Sequence, residues 1–240
     1  MTTSHFPILR QIALGTADFA GDGDRLRTLF GLAPGYTDPM LEDVGMADET
    51  LPVGDVAYLE LVAPLNEQAP INGWLAKVGG TAGYCASIQV GDLTPHLAAA
   101  EAAGVRIAVD LDVHGKRIIQ FHPADMGLLV ELDEIPDPQA WHWDDVDFEA
   151  PAEPLIRDVV GMDVAAADPV ARAELWAAVL GVEIDEWDDV PLIRLGERTV
   201  RFVKDDVARL SAIDVVATAA GQDLPDEIDF GKVVFRVQHA

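Results

Sequence analysis

The chain has 240 residues, of which half are apolar, 42 are acidic and 16 are basic, so its net charge is −26 at pH 7. A field of this sign repels phosphate backbones and anionic headgroups, which disfavours nucleic acids and membrane surfaces as partners. The single cysteine, Cys85, excludes an intramolecular disulfide framework and any multi-cysteine zinc or iron–sulfur site.

The first predicted elements are a strand in ILRQIALG, a turn, and a helix that ends at Gly31, where a glycine can adopt the left-handed C-cap conformation. The strand VAYLELVAP follows, and its alternation places Tyr58, Glu60 and Val62 on one face. An ionised glutamate among apolar neighbours is costly unless it is paired, protonated or bound to a metal. A solvated face of an antiparallel sheet is the simpler explanation of Glu60.

The same order of elements then returns. GYCASIQV predicts a strand, and DLTPHLAAAEAAG predicts a helix with Asp92 or Thr94 as its N-cap and Gly104 at its end. Short strands follow in RIAVDLDV, RIIQFHP and LLVELDE. The last of these strands again places a carboxylate, Glu131, among apolar residues.

Two spacings indicate an internal repeat. Glu60 lies 49 residues after Gln11, and Glu131 lies 46 residues after Cys85. Counted from Gln11 and Cys85, the two predicted helices end at a glycine 20 and 19 residues later. The two glutamates therefore occupy equivalent places in two copies of one unit, which favours a shared role over coincidence.

A third copy begins in VVGMDVAAADPVARAELWAAVLG, and its helix ends at Gly181. Gly161 stands where the first two copies have Gln11 and Cys85, so we expect no second metal site in this copy. A fourth copy is represented only by SAIDVVATA and KVVFRVQHA. Between the second and third copies, an acidic and proline-containing stretch predicts a linker whose tryptophans, Trp141 and Trp143, pack on a domain surface.

The stretches RQIALGTADF, YLELVAP and especially FHPADMGLLVEL resemble the vicinal oxygen chelate superfamily, which includes glyoxalase I, methylmalonyl-CoA epimerase, extradiol dioxygenases and bleomycin-resistance proteins. The resemblance implies an α+β fold of repeated βαβββ modules that form cupped mixed sheets. Together with the repeats, it predicts paired modules with the functional cup over 1–135, an acidic linker over 136–154, and a degenerate pair of modules over 155–240.

In that superfamily, the first and last strands of each module point a metal ligand into the cup. Carried over by position, the resemblance implies Gln11 and Glu60 from the first module, and Cys85 and Glu131 from the second. One glutamine with two glutamates is similar to the animal-type glyoxalase I set, but Cys85 stands where that set has histidine and could instead be a buried small hydrophobic residue. The site would hold a divalent ion, among Zn, Ni, Co, Mn and Mg, or would be metal-free.

Two carboxylates in an apolar cup suit proton transfer next to a carbonyl, as in an isomerase, epimerase or lyase. Iron-dependent ring cleavage is less favoured, because its two-histidine, one-carboxylate set cannot be built from these positions. Glu60 and Glu131 would divide the base and acid roles, with His122 as a further catalytic candidate. The predicted substrate contacts are Tyr58, Tyr84, Gln120 and Phe121. The alternative function is a bleomycin-resistance type of protein that binds a drug or metabolite without turnover.

The expected partner is a small-molecule substrate. The N-terminal sequence lacks the pattern of a signal peptide and no apolar run approaches the length of a membrane span, so the predicted location is the cytoplasm. Members of the superfamily commonly pair modules between chains, which implies a homodimer. A chain with four modules could instead satisfy that pairing internally.

Overall fold

The computed structural model describes residues 6–113 and 115–239. Strands outnumber helices in these ranges, and the predicted α+β class is confirmed. The strands are β1 (Ile8–Gly15), β2 (Met46–Val53), β3 (Ala57–Pro64), β4 (Ala82–Val90), β5 (Ile107–Val113), β6 (Lys116–Phe121), β7 (Leu129–Glu134), β8 (Ile156–Ala166), β9 (Ile184–Trp187), β10 (Val190–Leu195), β11 (Arg198–Lys204), β12 (Arg209–Ala217), β13 (Glu227–Phe230) and β14 (Val233–Gln238). The helices are α1 (Phe19–Phe30), α2 (Pro39–Asp43), α3 (Asn72–Val78), α4 (Thr94–Ala102), α5 (Pro123–Met126) and α6 (Pro169–Leu180). Within the described ranges, no helix is long and apolar enough to cross a membrane.

Capping residues explain where the two longest helices begin and end. The Asp18 side chain accepts a hydrogen bond from the backbone N–H of Gly21 at the start of α1, and Asp168 caps α6 in the same way. Gly31 and Gly181 follow the last turns with φ of +64° and +67°. These left-handed C-caps confirm the predicted ends of both helices.

Helix α4 begins differently from the prediction. Its N-cap residue is Leu93, which has no side-chain cap, rather than Asp92 or Thr94. Asp92 instead accepts a hydrogen bond of 2.8 Å from the N–H of Thr94, which is already the first helical residue. The aspartate therefore closes a local turn just before the helix, because its short side chain competes for the nearest free backbone donor.

The chain forms two compact units, each made of several segments. The Glu131 unit contains the residues up to Arg10, Cys85–Asp145 and Gly161–Leu210. The Glu60 unit contains Gln11–Tyr84, Val146–Val160 and the residues from Ser211 onward. Each unit therefore draws on both of the predicted segments 1–135 and 155–240, whose boundaries stay predictions.

In the Glu60 unit, β3 lies between β1, to which it is parallel, and β2, to which it is antiparallel. Strand β14 pairs in parallel with β12 and antiparallel with β13. The apolar side of α1 buries Leu26 and Phe30, and the Phe30 ring meets that of Phe235 edge-on at 4.8 Å. This aromatic contact joins the N-terminal helix to the C-terminal strands of the same unit.

In the Glu131 unit, β7 lies between β4, to which it is parallel, and β6, to which it is antiparallel. Strand β5 continues this sheet beyond β6, while β8, β11, β10 and β9 pair in that order. Trp176 of α6 is fully buried and donates its indole N–H to the carbonyl oxygen of Met126 at 3.0 Å. A buried tryptophan with its polar atom satisfied fixes α6 against α5.

Candidate functional site

The pair of Gln11 and Glu60 lies on neighbouring parallel strands of the Glu60 unit. Residue 60 stands opposite Ala13 in the β1–β3 ladder, and Gln11 stands opposite Tyr58. The buried Gln11 amide donates to the Glu60 carboxylate, with 2.8 Å between Nε2 and Oε2. The glutamate is therefore paired with a neutral donor, which offsets part of the cost of placing it on a largely apolar face.

Glu131 lies in the middle strand of three, so donors reach it from both sides. Ser87 of β4 and Gln120 of β6 are its direct neighbours in the two ladders. The Ser87 hydroxyl donates to Oε1 at 2.8 Å, and the Gln120 amide donates to Oε2 at 2.7 Å. The carboxyl group is partly buried and held in one orientation by these two hydrogen bonds.

The two glutamates have the same place in their parallel ladders. In the β1–β3 ladder, Gln11 lies two residues before Ala13, the residue that pairs with Glu60. In the β4–β7 ladder, Cys85 likewise lies two residues before Ser87, the residue that pairs with Glu131. Glu60 and Glu131 therefore lie at matching positions of two similar strand pairs. The convergence of all four predicted ligands on one cavity stays a prediction.

Burial raises the pKa of Glu131 from its ordinary value of 4.5 to about 7. The negative charge of Asp133 acts in the same direction, whereas the hydrogen bonds from Gln120 and Ser87 and the charge of His142 lower the pKa. A carboxyl group with this pKa is populated in both protonation states near neutral pH. It can accept a proton and return it without a large change in free energy.

A second buried carboxyl group, which is not among the predicted site residues, lies on the same face. The Asp133 side chain is fully buried, and its Oδ1 lies 2.8 Å from Nε2 of His142. Burial raises the pKa of Asp133 well above its ordinary value, and the charge of Lys116 opposes this shift. Alternation places Asp133 on the face of Glu131 but does not show that it is buried, and His142 lies in the stretch interpreted as a linker.

Asp48, on β2 of the Glu60 unit, was also missed. It is fully buried, and both of its carboxyl oxygens accept from the backbone N–H of Asp38, at 3.0 and 3.1 Å. Burial raises the pKa of Asp48 to about 7 even though this hydrogen bond lowers it. Because Asp48 pairs with Val62 and Thr50 pairs with Glu60, alternation in MADETLPV places Asp48 on the face of Glu60.

Neither a protein-family model nor a curated protein sequence matches the chain. A hypothetical protein from Staphylococcus aureus has a similar structure, with a TM-score of 0.69 and 12% identity over 98% of this chain and 100% of that one. The Mn(II)-bound glyoxalase from Novosphingobium aromaticivorans has a TM-score of 0.66 and 13% identity over 97% of this chain and 81% of that one. The chain has the vicinal oxygen chelate fold.

A shorter alignment matches the chain to a methylmalonyl-CoA epimerase from Streptomyces coelicolor in complex with 2-nitronate-propionyl-CoA. It has a TM-score of 0.46 and 25% identity, and covers 52% of this chain and 95% of that one.

The remaining residues predicted for the vicinal oxygen chelate site lie in several places. Cys85 is buried two positions before Ser87, on the face of Glu131. Tyr84 meets the ring of Trp74 edge-on at 5.0 Å, and Tyr58 lies 6.2 Å from the ring of Phe148. Both tyrosines thus pack against aromatic side chains of the Glu60 unit, and substrate contact by either one stays a prediction.

Of the three candidates on and after β6, Gln120 alone bonds to Glu131. Phe121 is fully buried and pairs with Val130, so alternation places it on the opposite face of the sheet. His122 caps α5, where its Nδ1 accepts from the N–H of Ala124 at 3.2 Å. Gln120 therefore lies at the Glu131 carboxyl group, Phe121 lies in the core and His122 caps a helix, and the predicted roles of these residues toward a substrate stay predictions.

The side chains predicted to bind a metal are not arranged in this structure so that they could hold a cation. Among residues 6–113 and 115–239, no three or more His, Cys, Asp or Glu side chains are grouped so that they could hold a metal ion. Both oxygens of Glu131 accept hydrogen bonds, and Gln11 turns its amide nitrogen toward Glu60. A cation would require Gln11 to present its oxygen instead, since a metal binds the lone pairs of a ligand and not its N–H groups.

Proposed function

We propose that this protein is an enzyme that transfers a proton at a carbon next to a carbonyl group of a small molecule, as an isomerase, epimerase or lyase. The observation that carries the proposal is the environment of Glu131. Its carboxyl group is oriented by Ser87 and Gln120 and has a pKa raised to about 7. The vicinal oxygen chelate fold, which the chain shares with a glyoxalase, supports an enzymatic role.

The proposed step begins with ionised Glu131. The carboxylate takes the proton from carbon, and the electron pair of the broken C–H bond moves into the carbonyl group to form an enolate. The carboxylic acid that results keeps the hydrogen bonds from Ser87 and Gln120 through its remaining lone pairs. Return of this proton to a neighbouring atom of the enolate completes an isomerisation, whereas an epimerisation requires a second acid that protonates the same carbon from the opposite face.

Glu60 is the second carboxylate that we propose for this chemistry. It is held by a neutral amide of Gln11, much as Glu131 is held by the amide of Gln120, and it has the same position in its ladder. Any role of Gln11, Glu60, Cys85 and Glu131 as metal ligands would require a rearrangement of the hydrogen bonds described above.

The test measures incorporation of deuterium from D2O at carbons next to carbonyl groups, by NMR and mass spectrometry. A panel of acyl thioesters, 2-oxo acids and 2-hydroxy ketones samples the substrate class. Glu131→Gln should abolish exchange, because an amide cannot accept and return the proton. Glu101→Gln, on the exposed side of α4 in the same unit, should retain the activity of the unmodified protein.

Two other results would change the proposed function. A bound divalent ion, found by elemental analysis and lost together with activity in Glu131→Gln, would assign this residue to metal binding. Absence of deuterium incorporation across the panel, with ligand affinity in Glu131→Gln retained within about tenfold (~1.4 kcal/mol), would support the binding protein of bleomycin-resistance type.

A further inference from the structure

The stretch 136–145, which we call the strap, packs onto the face of the sheet that carries Glu131. Its Trp141 is only 2% exposed, so the predicted packing of this tryptophan against a domain is confirmed. His142 of the strap bonds to Asp133, which lies two positions after Glu131 on the same face. The strap therefore covers the end of this face about 7 Å beyond Glu131, at about 3.3 Å per residue.

Polar side chains hold the strap through its backbone carbonyl groups. Gln89, which pairs with Asp133 in the ladder, donates to the carbonyl oxygen of Asp137 in the strap at 2.7 Å, and to that of Ile135, just before the strap, at 2.9 Å. Lys116, on the same face of β6 as Gln120, donates to the carbonyl oxygen of Trp141 at 2.9 Å. Each of these contacts can be exchanged for a hydrogen bond to water when the strap moves away.

Arg10, in the same unit, also forms hydrogen bonds that hold the strap in place. Its Nε donates to the Gln89 side chain at 2.6 Å, and its Nη2 donates to the carbonyl oxygen of Pro138. The guanidinium group also lies 5.8 Å from the centre of the Trp141 ring. Arg10, Gln89 and Lys116 thus bind the strap from three different strands.

The closed position leaves two buried polar atoms without a hydrogen bond. In the described part of the chain, Oδ2 of Asp133 and Nε1 of Trp141 are both enclosed and lack a partner. One atom is on the sheet and the other is on the strap, so separation of the strap from the sheet would expose both of them to water or to a polar group of a ligand. Unsatisfied buried groups favour such an opening, because a hydrogen bond becomes available only in the open state.

We propose that the strap is a latch that opens while β4, β6 and β7 stay folded, and thereby uncovers the end of the Glu131 face. The polar side chains that hold it closed give up their bonds to strap carbonyl groups, and the indole ring of Trp141 leaves its buried position. Opening of the strap does not require proton transfer at Glu131, so this proposal can be tested separately from the proposed function.

Hydrogen–deuterium exchange with mass spectrometry tests the latch in the unmodified full-length protein. The amides of 136–145 should exchange at least tenfold faster than those of β7, and low urea should change their rate little, because local opening exposes little surface. Exchange of the strap at the rate of β7, with the same urea dependence, would show that it opens only with the whole unit and would overturn the proposal.

Two neighbouring substitutions give a matched comparison. Lys116→Met removes the ammonium bond to Trp141 and should raise strap exchange at least threefold without changing that of β7. Arg117→Met, which removes only the exposed pair with Asp110, should leave the strap unchanged. Equal effects of the two substitutions would contradict the latch. If Lys116→Met fails to fold, the amide exchange rates of the strap and β7 in the unmodified protein decide whether the strap opens on its own.

Discussion

Replacement of Glu131 by glutamine should change the stability of the protein in a pH-dependent way. The folded-state pKa of about 7 lies above the ordinary value of 4.5, so the folded protein binds more protons than the unfolded chain between these pH values. Stability therefore falls as the pH rises through this window. At about 1.4 kcal/mol per pH unit, the raised pKa of Glu131 costs about 1 kcal/mol at pH 5, where the folded protein keeps this carboxyl group protonated, and about 3 kcal/mol at pH 8, where it is ionised.

Glutamine has a similar shape but no charge, so Glu131→Gln removes this cost. Its amide nitrogen faces either Ser87, whose hydroxyl can also accept a hydrogen bond, or Gln120, whose side chain can present its oxygen, so the exchange of hydrogen bonds adds only an offset that does not vary with pH. The free energy of unfolding of the variant, relative to the unmodified protein, should therefore rise by about 2 kcal/mol from pH 5 to pH 8.

Urea denaturation followed by circular dichroism at pH 5, 6, 7 and 8 measures this difference. Glu101→Gln, at an exposed position, provides the control and should give an offset that does not vary with pH. A constant offset for Glu131→Gln as well would refute the argument, because it would mean that Glu131 titrates alike in the folded and unfolded states.

Four further substitutions, at three positions, test contacts within the two units. Gln11→Met should cost about 1–3 kcal/mol of unfolding free energy in urea titrations, because Glu60 loses its donor, and Gln11→Glu should cost more at pH 8 than at pH 5. Trp176→Phe should lower stability by about 1–3 kcal/mol in the same assay, because the carbonyl oxygen of Met126 loses its buried donor. Gly31→Ala should lower the melting temperature by several degrees, because φ is +64° and an added Cβ would lie 2.4 Å from a backbone oxygen.

The parts of the fold that depend on local chemistry could be predicted from the sequence. Gly31 and Gly181 end helices because few other residues adopt positive φ, and alternation correctly assigned Glu60 and Glu131 to strands. The helix start at Leu93 was missed, because Asp92 has more than one backbone donor within reach and spacing alone does not choose between them.

The candidate site was predictable only where its residues belong to regular strands. Asp133 lies two residues after Glu131 on β7, so the alternation of the strand places both side chains on the same face. His142 and Arg10 reach the face through an irregular segment and through long side chains, and neither has a periodicity that a sequence pattern could show. Such contacts depend on tertiary packing, as does the burial that raises the pKa of Glu131.

The edge-on contact between Phe30 and Phe235 has a consequence for the order of folding. The ring that covers Phe30 of α1 belongs to β14 and lies 205 residues later in the sequence. Until β14 has been synthesised, Phe30 lacks this neighbour and exposes apolar surface. Closure of so long a loop is slow, so the chain without β14 should be prone to aggregation.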